Sequence, residues 1–218
     1  MGTGTFAYNL AKYSNGEWEA LPFATQGVGE LASLNSTLFY SLHFGSERGF
    51  KLQIYSYAPD NGFEFSYVPR CVSLQNQINA LYTYETLLFV GGTFSVSLLD
   101  GSISSAIIAY DTIKDTWIDV GLPAAINSPI FVESMNGFVH EGVNYILVSG
   151  TFSFSIGADQ FVNMAIYNLQ ESTWMPVVGI PSDTKISSAS LSESGTVAMT
   201  GQFVRVPLLC NLTVFLSI

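Results

Sequence analysis

The stretch LFVGGTF, Leu88 to Phe94, is written again as ILVSGTF at Ile146 to Phe152. Apolar residues lead into a glycine and then into Thr-Phe. Weaker versions stand elsewhere: LFYSLHF (Leu38 to Phe44) without its glycines, VAMTGQF (Val197 to Phe203), and TGTF (Thr3 to Phe6) with its front cut off. The closing phenylalanines Phe6, Phe44, Phe94, Phe152 and Phe203 are 38, 50, 58 and 51 residues apart. A phrase that returns at such intervals marks a structural repeat, and the rest of the chain is read outward from it.

An apolar phrase ending in an aromatic follows each anchor: NLAKY at Tyr13, LQIYSY at Tyr57, AIIAY at Tyr110, NMAIY at Tyr167 and NLTVF at Phe215. A second aromatic comes next (Trp18, Phe65, Trp117, Trp174), and then a proline (Pro22, Pro69, Pro123, Pro181). A fourth run leads back to the anchor: ELASL, INALYTY, IFVESM and ISSASL. No sustained i, i+3, i+4, i+7 stripe is present. Short runs rich in β-branched and aromatic residues, cut by Gly, Pro, Asn and Ser, predict an all-β fold.

Four strands per unit predict a β-propeller of four-stranded antiparallel blades. The units run over about 1–37, 38–87, 88–145 and 146–196, with a partial one at 197–218, in one propeller region spanning 1–218. A lone four-stranded sheet cannot bury both its faces, and stacking blades does so. In this frame the glycine phrase is the innermost strand of each blade. Gly91, Gly92, Gly150 and Gly201 let backbones approach there, while Trp117, Trp174 and the Phe and Tyr anchors fill the wedge between blades. About four and a half units predict an open arc, or a ring completed by further residues of the same polypeptide or by another copy. The apolar stretches around Phe6 and around Val214, Phe215 and Leu216 then need cover.

A glycine pair, then Tyr, six residues and Trp, is the kelch motif, and LFVGGTF…AIIAYDTIKDTWIDVGLP resembles a kelch blade. The Thr-Phe after the glycines, and the Asn that opens NLAKY and NMAIY, make the chain similar to the extracellular propeller of fungal cortical cell-polarity markers and related surface proteins. Leu42-His43 and Phe65 depart from the motif in the second unit. The resemblance implies a binding or scaffolding role at a cell surface and no cofactor.

The bulk composition agrees with that compartment. Hydrophobic residues make up 48 % of the 218 and charged residues only 11 %, so the polar surface rests on Ser, Thr, Asn and Gln, a pattern of extracellular proteins. The net charge is −10 with seven scattered basic residues, which excludes nucleic acid and anionic membrane as partners. No apolar run has transmembrane length, and MGTGTFAYNL lacks the basic and apolar regions of a signal peptide. Cys71 and Cys210 are either two free thiols or one bridge.

Chemistry is sparse. VSGTF is a strand phrase and not a G-x-S-x-G nucleophile elbow. No helix or Gly-Lys-Ser/Thr follows Gly91-Gly92, so phosphate cradling is excluded. His43 and His140 fall in different units, and no metal site is expected. Asp111, Asp115 and Asp119 around Trp117 read as solvated turn residues.

The expected function is therefore non-catalytic recognition of a protein or glycan through blade loops. The alternatives are an intracellular kelch-type adaptor and a carbohydrate-active enzyme. The segments between anchor Phe and following Tyr are long in the third and fourth units. Leu98, Leu99, Phe154 and Phe161 stand near their predicted tips, either for partner contact or as caps of the blade edges. Two sequons are candidate glycosylation sites: Asn35-Ser36-Thr37 in a predicted turn, and Asn211-Leu212-Thr213, where Asn211 aligns with Asn9 and Asn163 and can serve a turn instead.

Overall fold

The computed structural model describes residues 11–20, 27–35, 37–43, 54–57, 66–67, 77–98, 101–122, 130–180, 182–191 and 197–202. Phe6, Phe44, Phe65, Phe203, Leu99, both cysteines, Asn211, Val214, Phe215, Leu216 and the prolines 22, 69, 123 and 181 lie outside them.

All regular structure among the described residues is antiparallel β. A ribbon pairs β1 (Ala11–Ser14) with β2 (Glu17–Ala20). The first four-stranded sheet runs in chain order through β3 (Gly27–Leu34), β4 (Thr37–His43), β5 (Ile54–Tyr57) and β6 (Ser66–Tyr67). The second contains β7 (Gln77–Tyr84), β8 (Leu87–Ser97), β9 (Ile103–Asp111) and β10 (Thr116–Asp119). The third contains β11 (Phe131–His140), β12 (Val143–Ile156), β13 (Asp159–Asn168) and β14 (Thr173–Pro176), and β15 (Lys185–Leu191) pairs with β16 (Val197–Gln202) in a fourth. No described helix is long and apolar enough to cross a membrane.

The sheets are offset by one strand from the units read in the sequence. The run INALYTY pairs with the glycine phrase that follows it, Leu81 opposite Val90, and so opens a sheet rather than closing one. The glycine phrase is thus a second strand and not the innermost one. Contacts between consecutive sheets run mainly through the first strands β3, β7, β11 and β15. Side-chain amides and hydroxyls tie these strands together: Asn79 Nδ2 donates to the Val132 carbonyl at 2.8 Å, Asn136 Nδ2 to the Ala189 carbonyl at 2.7 Å, and Thr83 Oγ1 to the Ser33 carbonyl at 2.8 Å.

Three apolar layers separate the four sheets. Phe39 packs with Leu88, Val90, Phe94, Val96, Ile108 and Tyr110 between the first and second. Phe89, Ile107 and Ala109 meet Met135, Ile146, Val148 and Tyr167 between the second and third. Tyr145, Leu147 and Ile166 meet Ile186 and Ala189 between the third and fourth. Alternate residues of β8 thus enter different layers: Leu88 and Val90 one, Phe89 the other. A strand covered on both faces reads as an unbroken apolar run, and this is why LLFV and YILV do not alternate with polar residues.

The repeated glycine has a local cause. Each first strand carries one extra residue: pairing skips between Ile78 and Ala80, between Val132 and Ser134, and between Ile186 and Ser188. Gly92, Gly150 and Gly201 sit opposite these bulges. A Cβ on any of them would fall on a backbone carbonyl oxygen of the bulged strand, that of Gln77, Phe131 or Lys185. Gly91 is under a softer constraint, because its Cβ would meet the side chains of Val132 and Met135, and the equivalent positions hold Ser149 and Thr200. In the first sheet, where Leu42 replaces the glycine, pairing skips from Val28 to Leu31, and Ser41 Oγ accepts the Glu30 amide at 2.9 Å.

The outer strands carry a cross-strand Tyr–Trp pair. Tyr13 lies opposite Trp18, Tyr110 opposite Trp117 and Tyr167 opposite Trp174, with ring centroids 5.0, 5.1 and 4.8 Å apart. Trp117 and Trp174 are half-buried at the rims of their layers rather than fully enclosed, and Trp174 Nε1 donates to the Val120 carbonyl at 2.8 Å.

Candidate recognition surface

The residues expected near loop tips lie on or beside two hairpins, β8–β9 and β12–β13, whose ends extend past the flanking strands. The chain between Phe94 and Tyr110 is not a long loop. After an irregularity at Gly91–Ser95, β8 and β9 pair again through Ser95–Ser105, Val96–Ser104 and Ser97–Ile103. Beyond that ladder Leu98 N donates to Ser102 O at 2.8 Å and Gly101 N to Leu98 O at 3.0 Å. The β12–β13 hairpin repeats the device: the irregularity falls at Ser149–Ser153, pairing resumes from Ser153–Val162 to Ile156–Asp159, and Gly157-Ala158 form the tip. The alternation in SVSL and SFSI was the sequence signal for strands there.

At each irregularity a residue of the following strand takes the left-handed conformation, Ala106 (φ 62°) and Asn163 (φ 58°). Asn163 is 2 % exposed. Its Oδ1 accepts the Phe152 amide at 3.0 Å and its Nδ2 donates to the Thr184 carbonyl at 2.8 Å. This asparagine serves the fold; Asn211, which aligns with it in sequence, lies outside the described residues. Phe94 and Phe152 turn inward at the same level, 6 % and 4 % exposed.

The four apolar candidates divide. Phe161 is 1 % exposed and belongs to the layer between the second and third sheets, so it is a core residue and not a loop-tip contact. Phe154 lies opposite it, half-buried, with the rings stacked 4.8 Å apart. Leu98 is half-buried against the layer between the first and second sheets, and Leu99 lies outside the described residues. The two phenylalanines are sequestered because they pack into the layer between the second and third sheets, a fact the local sequence does not carry.

Other residues define the open surface of the hairpin ends. Ile103 is 54 % exposed. Ser97, Ser153, Ser155, Asp159 and Gln160 are exposed beside a half-buried Ile156, and Gln160 Nε2 donates to Ser155 Oγ at 2.7 Å. Hydroxyl and amide groups and the Asp159 carboxylate flanking a few aliphatic side chains suit a hydroxyl-rich or polar partner, and nothing in this set attracts a polyanion.

The acidic residues around Trp117 are structural. Asp111 is buried, not solvated: its Oδ1 accepts the Ile113 and Lys114 amides at 3.0 and 3.1 Å, and Lys114 Nζ lies 3.1 Å from Oδ2. The Lys114 backbone bond, with the others, holds its pKa below the usual carboxylate range. Asn168 forms the same turn in the third sheet, accepting the Gln170 and Glu171 amides at 3.0 Å. Asp115 accepts the Tyr110 hydroxyl, and burial, reinforced by that carboxylate, raises the phenol's pKa. Asp119 accepts Ser104 Oγ at 2.8 Å and the Gly121 amide at 3.2 Å. Among the described residues no cluster of three or more His, Cys, Asp and Glu side chains is placed to hold a metal ion. His140 ends β11 rather than lying in a connection. Asn35 is exposed at φ 47° in the β3–β4 turn, at the place where Glu85 (φ 52°) and Glu141 (φ 50°) occupy the corresponding turns.

No family model matches the chain, and no curated protein matches it. Among solved structures it is similar to the extracellular domain of a one-component system from B. thetaiotaomicron, with TM-score 0.34 and 10 % identity over 86 % of this chain and 26 % of that one. It is also similar to the computationally designed Ika8 protein, with TM-score 0.37 and 11 % identity over 82 % of this chain and 61 % of that one. The chain thus spans less than two thirds of either, and at these TM-scores neither likeness bears on function.

Proposed function

We propose that the chain is a run of kelch-like propeller blades that acts as a non-catalytic recognition module of a secreted or cell-surface protein. The observation that carries this is the pair of hairpins, β8–β9 and β12–β13, whose ends pair beyond the flanking strands of consecutive sheets and present polar and aliphatic side chains. A rigid repeat scaffold with projecting connections is a common basis for recognition. The partner is a protein or a glycan, held by Ile103, Ile156, Ser155 and Gln160, with no cofactor. The engagement of Asp111, Asp115 and Asp119 in turns supports the non-catalytic reading.

A screen of the folded chain against a glycan array and a panel of extracellular proteins tests the reading. Ile103→Asp and Gln160→Ala are expected to weaken the captured partner by roughly tenfold or more each, as anchors of a small interface do, with the thermal melt unchanged. Full retention of binding by both variants removes the hairpin ends from the reading.

The compartment has its own test. Asn35 is expected to carry an N-glycan in protein isolated from its source, since the turn is exposed and the side chain lies outside the sheet ladder. Intact-mass and peptide mass spectrometry showing an unmodified Asn35 overturns the secreted assignment.

A further inference from the structure

The dipeptide Asn-Gly occurs at Asn15-Gly16, Asn61-Gly62 and Asn136-Gly137, and Asn61-Gly62 lies outside the described residues. In such a pair the main-chain nitrogen of the glycine can attack the preceding side-chain amide, because glycine has no Cβ to shield it. The two described pairs are identical in sequence and opposite in setting.

Asn136 and Gly137 lie inside β11, paired with Leu147 and Ile146 of β12. Asn136 Nδ2 donates to the Ala189 carbonyl of the fourth sheet at 2.7 Å, so the side-chain amide is tied as well as the backbone. Packing requires the glycine here, since a Cβ on Gly137 would fall on the Tyr82 hydroxyl oxygen. Asn15 and Gly16 are instead the two-residue turn of the β1–β2 ribbon, with Ser14 opposite Glu17. Their left-handed φ angles, 53° and 84°, are what select Asn-Gly there. Both residues are exposed, a Cβ on Gly16 would meet no described atom within 4 Å, and the ribbon is four residue pairs long.

We propose that Asn15 is a site of spontaneous deamidation and isoaspartate formation, and that the fold holds Asn136 out of the same reaction. The Gly16 amide nitrogen, having given its proton to hydroxide, bonds to Asn15 Cγ. The Cγ–Nδ2 bond breaks and Nδ2 leaves as ammonia, which closes a five-membered succinimide. Water then opens the ring. Breaking the bond from the nitrogen to Cγ gives aspartate, and breaking the bond to the main-chain carbonyl carbon gives isoaspartate. Overall, water is consumed and ammonia released with no change of oxidation state. Ring closure needs the backbone and side chain of the asparagine to rotate until nitrogen and Cγ meet. Fraying of a short hairpin end permits this at Asn15, whereas at Asn136 the β11–β12 ladder and the bond to Ala189 must first break. Isoaspartate adds a methylene to the main chain of a turn built for two residues, so the register that sets Tyr13 opposite Trp18 is lost with it. The site is independent of the hairpin ends and of what they bind.

Incubation of the folded full chain in warm, mildly alkaline buffer tests it, read by peptide mass spectrometry and by methyl labelling with a protein-isoaspartate methyltransferase. The chain unfolded in guanidinium chloride, where local sequence alone sets the rates, is the reference. There both peptides are expected to gain the mass of an amide-to-acid change at similar rates. In the folded chain the Asn15 peptide is expected to accumulate aspartate and isoaspartate, faster as the pH is raised. Asn136 is expected to react at least about tenfold more slowly than Asn15, the minimum for a step that waits on the loss of tertiary hydrogen bonds. In Asn15→Gly, whose Gly-Gly turn accepts the same φ angles, the methyl label in this peptide is expected to vanish. Comparable rates at the two sites in the folded chain, an Asn15 peptide that stays unmodified, or a label that survives Asn15→Gly overturns the proposal.

Discussion

Phe89→Ala is expected to lower the stability of the chain by about 3–5 kcal/mol, the range for a large aromatic removed from a closed core. Phe89 is 2 % exposed and stands in the middle of the layer between the second and third sheets. Its ring is 6.5 Å from that of Tyr82 and 6.1 Å from that of Tyr167, in tilted and edge-on geometries that add to the burial. Ile107, Val120, Met135, Ile146, Val148, Tyr167 and Trp174 line the same seam, which is too tight for a water molecule. Strands on either side are fixed by ladders and cannot close over the lost ring, so a cavity remains. In a chain of this size each kcal/mol moves the midpoint by about 2–4 °C, so a fall of roughly 10 °C is expected in a circular-dichroism melt. A change below about 1 kcal/mol, the level of an unremarkable surface substitution, contradicts the face-to-face packing of these two sheets.

Gly150→Ala is expected to cost about 3 kcal/mol, at the upper end for an overpacked site, although it adds one methyl group. The new Cβ would sit on the Phe131 carbonyl oxygen and 3.0 Å from its carbon. Both atoms are backbone of β11 at its bulge, so relief requires the ladder between β11 and β12 to open. Gly157→Ala is the control. Gly157 has nothing within 4 Å of a Cβ and only its φ of 61° to maintain, so that change is expected to cost about 1 kcal/mol. Equal effects of the two changes in chemical denaturation would mean that the close approach at the bulge does not exist.

The repeat, the strands and the outer aromatic pair were legible in the sequence, because each is a local property. Tyr110 and Trp117, or Tyr167 and Trp174, are joined by one tight turn that fixes their register, so spacing alone pairs them. The glycines were legible as points of close approach, but not the bulges they face, because the extra residue of each bulge lies on the neighbouring strand.

The frame of the sheets was not read correctly. The run INALYTY has the same place in the order of phrases whether it closes one sheet or opens the next. The two-residue turns Glu85-Thr86 and Glu141-Gly142 were the overlooked signal, since so short a link forces the strands on either side of it to pair.

The sequence by itself determined that the chain is a series of β units and which residues each unit repeats. These follow from side-chain period and backbone sterics within a few residues. Only the tertiary structure decided that Phe161 is core while Ile103 is surface, and that Trp18 stands bare while Trp174 is half-buried. Burial is set by what the adjacent sheet brings to within contact, and that sheet lies some fifty residues away along the chain, as Trp174 and Val120 do, 54 residues apart.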